Sequence, residues 1–195
     1  MDNKTPQNNQ KFKDARSKKV IIVAHCVLNQ NARIDTCALA PSASPKVPEY
    51  LLENKVGIIQ WPCLELNFLG LGRHGQDCRV LDGSYRHQDG EVYDQLSVPE
   101  GRRYLKGVAD NLVFQIKEYL KYDFRVLGVL GIPGSPTCGV ELKYYKGMKA
   151  GNGVFIEELI NGLEANDINI PIRGIYDLDP ERSLEIVKDL INAEV

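Results

Sequence analysis

Three cysteines stand just beyond three short apolar runs: VIIVAHC ends in Cys26, VGIIQWPC in Cys63 and RVLGVLGIPGSPTC in Cys138. Thiolates are soft ligands and suit zinc, Cu(I) or an iron–sulfur cluster. In an open α/β sheet the carboxyl ends of parallel strands line one ligand crevice. If the three runs are such strands, three thiols distant in sequence converge at one edge. Structural zinc takes four ligands, often with local C-x2-C pairs, and the chain has no such pair. Electron-transfer clusters also usually take four cysteines. Three protein ligands leave one metal position open, and an open position admits a substrate. Cys37 and Cys78 follow no apolar run and are read as incidental.

The residues around the thiols are built for a constrained turn. Pro62 and Pro136 lie just before Cys63 and Cys138 and stiffen the backbone. Gly131, Gly134 and Gly139 let the main chain approach a bulky inorganic ligand, and free N–H groups there can bond its sulfurs. His25 is read as a structural, hydrogen-bonded histidine, and His74 and His87 as solvated. Gly147, Gly151 and Gly153 precede a helix, but neither a P-loop nor a dinucleotide-binding spacing is present.

Positioning these groups requires a sheet with covered faces. The runs at 20–25, 56–61 and 125–132 are rich in β-branched residues and alternate poorly with polar ones, as in buried parallel strands. A weaker run spans 170–177, with Pro171 suited to an edge. A short helix is expected over 48–54. Leu105, Val108, Leu112, Ile116 and Leu120 predict one apolar stripe on a helix over 99–121, opened by Pro99. Phe155, Leu159 and Leu163 mark a further helix, and Asp179 with Pro180 caps a last one. This rhythm predicts an α/β, Rossmann-like three-layer fold with a mostly parallel sheet. Residues 62–98 break the rhythm and read as a long, polar, functional loop.

The 195 residues suffice for one domain with a substantial core. The leader at 1–18 is too polar to bury surface and reads as a disordered tail, so residues 19–195 are expected to form a single domain. The net charge of −2 gives no electrostatic case for nucleic acid. No apolar run is long enough for a membrane span, and no secretory signal is visible. An odd count of five cysteines without an export signal points to a reducing, cytoplasmic setting.

Taken together, these motifs resemble the 2-thiouracil desulfidases and their relatives. The resemblance lies in HCVLNQNARID, with Cys26, Arg33 and Asp35; in WPCLEL, with Cys63 and Glu65; and in GSPTCGV, with Ser135, Thr137, Cys138 and Gly139. It runs from about residue 19 to 178. Leu64 replaces the family's proline after the second cysteine, Thr137 stands where serine is usual, and NFLGLGRHG replaces a Gly-Gly and Pro-Arg pattern.

The resemblance implies a [4Fe-4S] cluster held by Cys26, Cys63 and Cys138, with one iron open to a substrate's sulfur. It implies hydrolysis of a carbon–sulfur bond in a small thiolated compound, a thio-nucleobase such as thiouracil. Glu65 and Asp35 are then the nearest carboxylates for a general base. Ser135 can donate to the substrate or to developing charge. Asn31, Arg33 and Thr137 are the expected substrate contacts. The alternative is a non-catalytic iron–sulfur or metal protein that carries or senses sulfur.

Overall fold

The computed structural model describes residues 14–34, 37–73 and 91–193. Asp35, His74, Cys78, His87, residues 1–13 of the expected tail and 74–90 of the expected loop lie outside the described residues.

The elements run β1 (Lys19–Val23), α1 (His25–Leu28), α2 (Val47–Glu53), β2 (Gly57–Gln60), α3 (Leu64–Leu69), α4 (Glu91–Ser97), α5 (Pro99–Lys121) and β3 (Arg125–Gly131). They continue with β4 (Leu142–Tyr144), β5 (Met148–Ala150), α6 (Val154–Glu164), β6 (Ile172–Gly174) and α7 (Pro180–Asn192). Four strands form one parallel sheet in the order β2-β1-β3-β6. Val20 pairs with Gly57 and Val23 with Gln60, while Val23 faces Leu130 on the other side. The hairpin β4–β5 is separate and antiparallel.

The two central strands explain their sequences. Val20 to Val23 and Val126 to Leu130 carry unbroken runs of buried residues, as strands covered on both faces must. Edge strand β6 begins just after Pro171, where a missing donor is tolerated. The Asp179 carboxylate accepts the Arg182 N–H at 3.1 Å and caps α7 ahead of Pro180. Helix α5 packs on α6, and α2 on α7.

Two expectations are corrected. The segment 62–98 is not a continuous loop: α3 and α4 occupy parts of it. The stripe on α5 drifts as the helical period requires. Ala109 and Val113 join Leu105, Leu112 and Ile116 in the core, while Tyr119 packs inward and Leu120 turns to solvent. Among the described residues no helix is long and apolar enough to cross a membrane.

Candidate functional site

Cys26 and Cys63 each lie three residues beyond a strand, past Val23 and Gln60. Cys138 is seven beyond Gly131, but its turn folds back, so that the Ile132 N–H donates to the Cys138 carbonyl at 2.8 Å. A Cβ at Gly131 would lie 2.5 Å from that same carbonyl, so the residue here must lack one. All three cysteines consequently line one cavity of about 230 Å³. Arg33, Glu65 and Ser135 line it too.

The Cys138 turn is organised by Ser135. Its Oγ accepts the Thr137 N–H at 3.2 Å and the Cys138 N–H at 2.9 Å. With its oxygen engaged by two amides, the hydroxyl retains its own proton to donate. Behind the turn, the start of α6 has no side-chain cap. Its first N–H groups bond the turn's carbonyls instead: Gly153 to Gly139 at 2.9 Å, Val154 to Pro136 at 3.0 Å and Phe155 to Thr137 at 3.1 Å.

Two arginines, Arg73 buried and Arg33 partly buried, meet two of the thiols. The Arg33 Nη2 lies 3.7 Å from the Cys26 Sγ and pairs with the Asp177 carboxylate, while its Nη1 donates to the Cys37 carbonyl at 3.1 Å. Asp177 also accepts from the Ser44 hydroxyl at 2.6 Å and the Gln30 amide at 3.2 Å. The Arg73 Nη2 lies 3.3 Å from the Cys63 Sγ and donates to the Ala32 carbonyl. Its Nε is 3.0 Å from the Glu65 Oε2, an ion-pair distance without hydrogen-bond alignment.

Burial pushes the Cys26 thiol up to about 11; Arg33 opposes this, while Asp177 and Cys63 add to it. Burial also raises Cys138 well above the ordinary thiol value, helped by Cys26, Glu65 and Cys63, and the Trp61 indole N–H opposes. Burial lowers His25, which favours the neutral ring. The thiols thus sense one another, as groups sharing one site do.

Among the described residues, the buried polar atoms without an aligned hydrogen-bond partner are His25 Nδ1, Trp61 Nε1, Arg73 Nε, Tyr104 Oη and Thr137 Oγ1. His25 and Thr137 are chain neighbours of Cys26 and Cys138, and Arg73 touches Cys63. Each such group costs roughly 1–3 kcal/mol when left unsatisfied. Among the described residues, no three His, Cys, Asp or Glu side chains are placed to hold a single metal ion.

The other expected contacts fall differently. Asn31 is exposed and bonds Asn29, away from the cavity wall. Thr137 is fully buried and does not line the cavity. Arg33 lines it, with its guanidinium engaged by protein partners. Cys37, read as incidental, also lines the cavity. Arg73, Asp177, Gln30 and Ser44 escaped the sequence reading, because nothing in spacing links residue 177 to residue 33. A signal for Arg73 was present: a lone arginine in a glycine-rich stretch shortly after the second cysteine.

No protein-family model matches the chain. It is 29% identical over 160 residues to an uncharacterized protein of Methanocaldococcus jannaschii, covering 82% of this chain and 86% of the relative. Among solved structures it is similar to a [4Fe-4S]-dependent thiouracil desulfidase, at a TM-score of 0.44 and 18% identity, over 87% of this chain and 99% of that one. At that score neither fold detail nor chemistry passes from one chain to the other.

Proposed function

We propose that this chain is an iron–sulfur-dependent desulfidase of Rossmann-like, three-layer build, which removes sulfur from a small thiolated compound such as a thio-nucleobase by hydrolysis. The observation that carries this is the meeting of Cys26, Cys63 and Cys138 with Glu65 and Ser135 around one cavity. Cys26, Cys63 and Cys138 on one cavity would hold an iron–sulfur cluster by three thiolates, the soft ligands that such groups take. When bound, a [4Fe-4S] cluster supplies a Lewis-acidic iron for the soft thiocarbonyl sulfur.

The protein's own groups do the rest. Glu65 takes a proton from water as the water oxygen adds to the carbon that bears sulfur. Ser135, its oxygen already engaged by two amides, donates its proton toward the substrate's developing charge. The carbon–sulfur bond breaks, sulfur leaves as sulfide and the oxo product remains, with no net oxidation. Ala24, Ile34, Leu64, Ile132 and Pro136 give the cavity apolar walls against which a heterocycle can lie.

The test is anaerobic reconstitution followed by assay of sulfide and oxo base from thiouracil. Glu65→Gln at equal iron content should lower turnover roughly 10²–10⁴-fold. Wild type that takes up iron yet releases no sulfide from any thio-nucleobase would refute the enzyme and leave the carrier or sensor.

A further inference from the structure

We propose that Arg73 is a positioning residue: one buried guanidinium that ties the Glu65 carboxylate to the Cys63 thiol. The assignment rests on the desulfidase reading above. The Arg73 side chain is 1% exposed. Its nitrogens reach the Glu65 Oε2 at 3.0 Å, the Cys63 Sγ at 3.3 Å, the Leu71 carbonyl at 3.1 Å and the Ala32 carbonyl. These partners come from the stretch after α1 (Ala32), the exit of β2 (Cys63), the first turn of α3 (Glu65) and the stretch after α3 (Leu71). The Cys63 thiol is itself 3.6 Å from the Ala32 carbonyl, so thiol and arginine share that anchor.

An arginine suits this post and a lysine does not. A planar fork with five N–H donors can hold acceptors in several fixed directions, whereas an ammonium is a point charge on a flexible stem. The consequence is a fixed vector between a thiol proposed to hold iron and the carboxylate proposed to activate water. A donor on a ligating sulfur also tunes the metal group behind it.

The test uses the reconstituted full chain. Arg73→Met removes the fork and Arg73→Lys keeps only the charge. Both should lose roughly 10–100-fold in turnover, in kcat more than KM, and lose iron correspondingly faster to a chelator. In Arg73→Met the cluster's reduction potential should move to more negative values. In a Glu65→Gln background, Arg73→Met should cost little further turnover, because the two act as one unit. Folded Arg73→Met with wild-type iron retention and potential would overturn the proposal, and so would losses that simply add. Should Arg73→Met fail to fold, Arg73→Lys with wild-type turnover and iron retention overturns it. Wild type that binds iron but releases no sulfide sinks the desulfidase reading alone, since iron retention and potential still decide the place of Arg73.

Discussion

Gly153 is where the start of α6 rests against the Cys138 turn, and an added methyl there has a calculable effect. In Gly153→Ala the new Cβ would lie 2.4 Å from the Thr137 carbonyl oxygen and 2.7 Å from the Gly139 nitrogen. Both are backbone atoms, so no side chain can swing away. Such overpacking costs about 1–3 kcal/mol. Backbone retreat also weakens the bonds from Gly153, Val154 and Phe155 to the turn, and losing one costs about 1 kcal/mol. The φ of −68° suits alanine, so the less flexible unfolded chain returns about 0.4–1 kcal/mol. The net is a loss of roughly 1–3 kcal/mol, or a fall in Tm of about 2–12 °C for a chain of this size. Gly107→Ala is the control: it sits on the exposed side of α5, its Cβ would meet nothing within 4 Å, and it should gain about 0.5–1 kcal/mol. Thermal unfolding of both variants, with iron content after reconstitution, reads the result. Gly153→Ala melting at or above wild type would refute the close contact as the reason for glycine.

Serine at Cys26, Cys63 or Cys138 should abolish the broad visible absorbance of the reconstituted protein, while Cys37→Ser keeps it. Cys37 shares the cavity, so equal loss there would show that the ligand set is drawn wrongly. Ser135→Ala should keep its iron and lose on the order of 10²-fold in sulfide release, as for a typical donor to developing charge. Asp177→Asn strips the partly buried Arg33 guanidinium of its counter-charge and should cost roughly 2–4 kcal/mol in denaturant unfolding, somewhat less than a fully buried pair, and a loss under about 1 kcal/mol would speak against the pair.

The sequence made the strands and long helices legible because their signals are local. Buried β-branched runs, Pro99 and the Asp179–Pro180 cap need no tertiary knowledge, and α5 and α7 begin at the two prolines. The meeting of Cys26, Cys63 and Cys138 was legible through one general rule about strand ends. The partners of the two arginines were not. Asp177 reaches Arg33 across 144 positions, held by a turn in which Ser183 bonds Tyr176 at 2.7 Å, and no periodicity encodes that meeting. That Asn31 and Thr137 lie off the cavity wall was illegible for a related reason. Proximity in sequence to a cysteine fixes the backbone nearby but not the direction in which a neighbour's side chain points.

Strands β2, β1 and β3 lie side by side, and the segments leaving them carry Cys63, Cys26 and Cys138. The hydrogen-bond ladder spaces such strands about 4.8 Å apart. The sheet therefore sets where the three thiol-bearing segments leave it, while the hairpin that places Met148 on the cavity wall braces the Cys138 turn from the far side, the Gly134 N–H donating to the Leu142 carbonyl at 2.9 Å. Wall and thiol turn are thus one joined unit. Grafting a different 142–150 hairpin should change which molecules enter and disturb the seat of Cys138 as well.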